Sequence, residues 1–121
     1  MRNAPQNERL LLGLAYLYSR KGDHDRAIEC CEKAVELNPN YPPAYIDLAA
    51  AYSDAGRFEK AAALMLKVIS YNPRFTDAYI ALAKVYKNAG NFAEEKNILE
   101  QALRINPSLS RARKMLSEVP E

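Results

Sequence analysis

Residues 37–45 read L-N-P-N-Y-P-P-A-Y, with three prolines crowded between two apolar runs of helical spacing. Asn38-Pro39 returns as Asn72-Pro73 and again as Asn106-Pro107, each time 34 residues on. Proline cannot continue a helix and biases the residue before it away from helical geometry, while asparagine tolerates the left-handed conformation. Each Asn-Pro therefore predicts a helix stop, with the asparagine in the left-handed region. A stop repeated at one fixed interval predicts a chain built from equal units.

Laid in ungapped rows 8–41, 42–75 and 76–109, the chain shows six columns identical in all three rows. They are Leu14/Leu48/Leu82, Ala15/Ala49/Ala83, Tyr18/Tyr52/Tyr86, Gly22/Gly56/Gly90, Asn38/Asn72/Asn106 and Pro39/Pro73/Pro107. Other columns repeat by type, such as Cys31/Met65/Leu99 and His24/Phe58/Phe92. In the second row Ala44, Tyr45, Leu48, Ala49 and Tyr52 make one helical stripe, which Gly56 ends by taking a left-handed conformation. Ala61, Leu64, Met65, Val68 and Ile69 make a second stripe, which runs to Asn72-Pro73. Each row thus predicts an antiparallel helix pair. Thr76 and Ser110 are expected to cap the following helices with their hydroxyls, and Pro42-Pro43 to start one with a preset φ. Tyr41 and Phe75, just before those starts, are placed to fold onto Ile46 and Ile80 as hydrophobic staples.

These columns resemble the tetratricopeptide repeat family over nearly the whole chain. The family pattern runs large residue, Leu-Gly/Ala, Tyr, turn Gly, small Ala, large residue, Ala and Pro. Row two matches it with Tyr45, Leu48-Ala49, Tyr52, Gly56, Ala61, Met65, Val68 and Pro73. The resemblance implies an all-α fold, a right-handed α-solenoid of seven helices whose concave face is lined by the first helix of each repeat. The organisation expected is a lead-in over 1–7, repeats at 8–41, 42–75 and 76–109, and a C-terminal capping helix over 110–121. In that last unit Leu109, Ala112, Leu116 and Val119 would cover the apolar edge of the third repeat, while Arg111, Arg113 and Lys114 face water. One residue departs from the pattern: Glu95 stands where the small alanine belongs. It is expected to loosen the third repeat and to reach out to water.

Bulk properties exclude several classes. At 121 residues the chain can bury a real core, and a net charge of +2 is too small to imply nucleic acid or an anionic membrane as partner. Only the basic stretch from Arg104 to Lys114 favours an RNA-binding array, and acidic residues interrupt every other face. The longest apolar stretch, Leu10 to Tyr18, is too short to span a bilayer. Cys30 and Cys31 are adjacent in a helical pattern, so their side chains diverge; reduced thiols in a cytoplasmic protein are expected. No phosphate loop, nucleophile elbow or metal-ligand spacing occurs in the sequence. His24 shares its column with two phenylalanines and reads as a ring packed at a turn. No catalysis, cofactor or metal is expected.

The resemblance places the ligand face on first-helix positions, and the residues expected to contact a peptide there are Leu12, Tyr16, Ile46, Asp47, Ala50, Ile80, Lys84, Lys87 and Asn88. Leu12, Ile46 and Ile80 form an apolar line, with Lys84 and Lys87 at the far end to orient an acidic stretch. Two well-known uses of the family are excluded at these positions. A clamp for chaperone carboxylate tails would need lysine, arginine and asparagine where this chain has Leu12, Tyr16, Asp47, Asp77 and Ala81. The asparagine ladder of glycosyltransferases acting on Ser/Thr would need side-chain amides where Ile46, Asp47 and Ala50 stand. The function expected is a non-catalytic scaffold binding a peptide or partner helix. The rival is a structural solenoid segment that self-associates through uncapped ends or belongs to a larger repeat protein.

Overall fold

A computed structural model describes residues 5–120 as seven helices: α1 (Pro5–Arg20), α2 (His24–Leu37), α3 (Pro42–Asp54), α4 (Phe58–Tyr71), α5 (Thr76–Asn88), α6 (Phe92–Ile105) and α7 (Ser110–Ser117). No strand occurs among the described residues. Each helix packs on the next in sequence, α1 and α3 also touch, and so do α3 and α5. Three hairpins thus stack side by side with α7 laid on the last, an α-solenoid whose first helices share one face.

The turn within each hairpin is set by glycine. At Gly56 the backbone has φ of +80°, which costs a glycine nothing and an L side chain a good deal. That conformation lets the Arg57 amide bond back to the Tyr52 carbonyl at 2.8 Å, closing the end of α3. The same bond forms from Asp23 to Tyr18 and from Asn91 to Tyr86, at 2.9 and 2.8 Å.

The Asn-Pro corners differ from the sequence expectation. Asn38, Asn72 and Asn106 are extended, with φ of −146°, −142° and −138°, not left-handed. Each corner closes through backbone, the Tyr41, Phe75 and Leu109 amides donating to the Asn38, Asn72 and Asn106 carbonyls at 3.1 Å, and the asparagine side chain adds to this at the first and third corners. The Asn38 Oδ1 accepts from the Asn40 amide at 3.3 Å, and the Asn106 Oδ1 accepts from the Ser108 amide at 3.2 Å. The expected hydroxyl caps also fail to form. Phe75 and Leu109 are the cap residues, without a side-chain cap bond, and Thr76 and Ser110 are already the first helical residues. The corner holds instead by backbone, the Phe75 carbonyl accepting from the Ala78 amide at 3.1 Å. At the N-terminal end α1 starts at Pro5, inside the stretch expected as lead-in; residues 1–4 lie outside the described residues. At the other end α7 stops at Ser117, short of the expected span.

The core follows the repeat columns. Ala15, Ala49 and Ala83 are buried where the two helices of each hairpin cross, and Cys31, Met65 and Leu99 fill the space beside them. Small residues at the crossing let backbones approach, and the large ones pack the gap. Glu95 breaks the first half of that scheme. Contrary to the sequence expectation it does not reach water: it is 2% exposed, as deeply enclosed as Ala27 and Ala61 in the same column. Its Oε1 is buried without a hydrogen-bond partner. Burial raises its carboxyl pKa above the ordinary 4.5, with Lys87 opposing the rise.

Candidate functional site

The inner faces of α1, α3, α5 and α7 border two adjoining hollows. The smaller, about 120 Å³, lies between α1 and α3 and is lined by Leu12, Tyr16, Ser19, Asp47 and Ala50. The larger, about 390 Å³, lies between α3, α5 and α7 and is lined by Ile46, Asp47, Ala50, Asp77, Ile80, Lys84, Asn88 and Arg111. Alternate first-helix positions face inward because residues three and four apart share a helix face. The repeat then stacks equal positions from successive helices across the floor.

Seams between the helices are fastened by side chains one repeat apart. The Ser19 hydroxyl donates to Asp54 Oδ2 at 3.0 Å, and the Asn88 Nδ2 donates to the Ser53 hydroxyl at 2.9 Å. Asn88 therefore uses one of its two amide N–H donors on the floor of the groove. Tyr16 is 61% exposed, its ring under the Arg20 guanidinium at 5.7 Å and its hydroxyl accepting from Arg20 Nη1 at 3.2 Å. Leu12 and Ile46 are half-buried, whereas Ile80 is only 4% exposed and gives most of its surface to the core. Lys87 stands on the exposed end of α5, outside the lining of the larger hollow.

The charges of the groove are segregated. Asp47 and Asp54 stand on α3, Asp77 and Lys84 on α5 and Arg111 on α7, so carboxylates gather toward α3 and cations toward α7. Asp47 keeps contact with water, yet the helix walls displace enough solvent to raise its carboxyl pKa. Burial, followed by the positive charges of Arg111 and Lys87, holds the Lys84 amine below its ordinary 10.5. Beneath the floor, burial and then the Asp47 charge push the Cys31 thiol up to about 12, so it is a packing residue without nucleophilic character. Among the described residues the ion pairs are Arg26–Asp23 and Arg57–Asp25, both outside the groove. Opposite charges thus face one hollow without neutralising each other.

Arg111 was missed as a groove residue by the sequence reading, which placed it on a solvated cap. The signal was present. Carrying the first-helix positions into a fourth row puts Arg111 in the column of Arg9, Pro43 and Asp77. Among the described residues no group of three or more His, Cys, Asp or Glu is placed to hold a metal, and no helix is long and apolar enough to cross a membrane.

Family models described as tetratricopeptide repeat match residues 9–41, 30–63 and 54–119. The chain belongs to the tetratricopeptide repeat family. No curated protein matches it in sequence. Among solved structures, it is similar to the first repeat domain of Spaghetti (RPAP3) bound to the HSP90 peptide SRMEEVD, with 23% identity, 98% of this chain and 94% of that one covered, and a TM-score of 0.74. It is likewise similar to the second repeat domain of human RPAP3 in complex with the HSP70 peptide SGPTIEEVD, at 19% identity, 98% and 99% coverage and a TM-score of 0.73. The repeat domain of Sgt2 from Aspergillus fumigatus matches at 19% identity, 93% and 76% coverage and a TM-score of 0.75. At these identities the likeness carries the fold.

Proposed function

We propose that the chain is a non-catalytic interaction module that takes a peptide or a partner helix along the inner face of α1, α3 and α5. The observation that carries this reading is the segregated, unpaired charge around the larger hollow, with half-buried Ile46 on its floor. A ligand suited to it has apolar residues over Leu12, Tyr16 and Ile46, acidic residues toward Lys84, Lys87 and Arg111, and a basic residue over Asp47 and Asp77. Such pairing is made only on binding, so it favours one orientation of the ligand. The RPAP3 domains of similar fold were solved with acidic chaperone peptides, which supports a peptide as the ligand class. The aspartates and apolar residues along α1 and α3 stand against a chaperone-tail clamp of that kind. Free thiols at Cys30 and Cys31 suit a cytoplasmic setting.

The test is capture of partners from lysate by the wild-type chain and by the Ile46→Asp and Tyr16→Asp variants, with helicity followed by circular dichroism. A residue at the centre of such a contact costs about 2 kcal/mol or more when lost. Partners should therefore be lost while the helical signal stays. Unchanged capture by both variants overturns the reading.

A further inference from the structure

A third hollow, of about 250 Å³, opens on α4 between the first two Asn-Pro corners and shares no lining residue with the inner pair. Its walls are aromatic. Tyr45 and Phe75 are half-buried, Tyr71 is 79% exposed, and Pro42 adds a further flat ring. In the third repeat the residues of the same columns are covered: Tyr79 and Ile98, where this hollow has Tyr45 and half-buried Leu64, are 5% and 6% exposed. The aromatic surface is thus open in one repeat and shut in the next.

The polar groups along this slot are unspent. Asn38 and Asn106 each use Oδ1 on the amide two residues on, whereas the side chains of Asn40 and Asn72 make no hydrogen bond among the described residues. Lys67 is the one charged residue of the lining and takes part in no ion pair among the described residues. These groups select the backbone of a ligand. A helix has its carbonyls bonded internally and would leave the asparagine amides idle. A β-strand takes its partners from a sheet edge, and no strand occurs among the described residues. A polyproline II segment has no internal hydrogen bonds, so its carbonyls are free for the Asn40 and Asn72 amides while its rings lie on tyrosine and phenylalanine. With no carboxylate in the lining, Lys67 is complemented by a negative charge beside that segment.

We propose that this slot takes an extended, proline-rich segment of a partner protein, carrying an acidic residue that meets Lys67. The site lies apart from the inner groove and does not depend on the groove reading. The experiment measures fluorescence anisotropy of the full chain with fluorescein-labelled peptides: a proline run ending in glutamate, the same run ending in lysine, and a leucine-striped helical peptide bearing glutamate. The proline–glutamate peptide should saturate and bind several-fold more tightly than the lysine one, the scale of an exposed charge pair. Tyr71→Ala should weaken it at least about tenfold, as loss of an aromatic anchor does, with circular dichroism unchanged. Lys67→Glu should reverse the preference between the two proline peptides, and Ile46→Asp should leave it as it is. Failure of the proline–glutamate peptide to saturate at millimolar concentration overturns the proposal, as does binding indifferent to Tyr71→Ala. Loss with Ile46→Asp overturns it by placing the peptide in the inner groove. Tighter, Tyr71-dependent binding of the helical peptide overturns it in favour of a partner helix. A doubling of mass by light scattering without peptide, abolished in Tyr71→Ala, overturns it in favour of a second copy.

Discussion

The Tyr79 hydroxyl donates a 2.7 Å hydrogen bond to the carbonyl of Pro73, six residues back across the corner between α4 and α5. Tyr45 makes the same bond to Pro39 at 2.8 Å, so two successive Asn-Pro corners are latched by the first helix they launch. The latch joins the stop of one repeat to the body of the next and so fixes the angle between them. Tyr79 is buried, and Tyr79→Phe leaves the Pro73 carbonyl without its partner. A part-buried hydrogen bond of this kind contributes about 0.5–1.5 kcal/mol net. Urea denaturation of Tyr79→Phe should show a midpoint lowered to match. Tyr45→Phe, whose bond is exposed to water, should lose less. Equal losses would mean that the latch is not what holds the corner.

Glu95 sets a stability cost inside the third repeat. The column holds alanine in the first two repeats, and the carboxylate lies buried with one oxygen unpartnered. Glu95→Ala should stabilise the protein by about 1 kcal/mol or more at pH 7, the usual scale for relieving such a group. The pH dependence follows from the direction of its shift. Burial raises the pKa above the ordinary 4.5, so the folded chain binds this proton more tightly than the unfolded chain. The gain from Glu95→Ala is therefore largest at neutral pH. It should shrink as pH falls through the raised pKa, becoming flat below the ordinary value. Glu95→Gln, which keeps the size and removes the charge, should reproduce the pH dependence of the gain. A gain independent of pH would assign the cost to bulk, not to charge.

Lys84 is held in place against repulsion. Burial, Arg111 and Lys87 all depress its pKa, so at neutral pH its charge is a cost to folding that disappears as pH rises through the depressed value. Lys84→Gln should thus leave the denaturation midpoint unchanged or raised at pH 7. The same change should weaken binding of an acidic peptide about tenfold, roughly 1.4 kcal/mol. Arg111→Gln should act in the same direction. A variant that binds as well as the wild type would remove these cations from the ligand site.

The hairpins were legible because each is fixed locally. A glycine past the helix end, apolar stripes of helical period and a proline every 34 residues are all written in adjacent sequence. The structure of the corners was less legible, since an asparagine before proline can close its turn by its backbone or its side chain. Burial at Glu95 was missed because charge alone predicts escape to water, while the hairpin around it is closed by Ala83 and the neighbouring core. Groove positions followed from the repeat, but their exposure did not. Ile46 and Ile80 occupy one column, yet the cover from neighbouring helices differs between the middle and the end of the array. Arg111 fell outside the reading because the last helix was treated as a lid and not as a fourth row.

The clearest consequence of position in the array concerns Leu14, Leu48 and Leu82, one residue type in one column. Leu82 is fully enclosed between α4 and α6, Leu48 is nearly so, and Leu14 stands 47% exposed. Truncating a buried leucine removes its transfer free energy and leaves a cavity, together about 2–5 kcal/mol. Leu82→Ala should fall in that range, with Leu48→Ala close behind. Leu14→Ala removes atoms that already meet water and should stay within about 0.5 kcal/mol, the scale of ordinary surface changes. Urea denaturation of the three variants at one protein concentration checks the order. A loss at Leu14 as large as that at Leu82 would show that the outer face of α1 is covered in solution, and repeating it at tenfold dilution would reveal whether a second molecule supplies the cover.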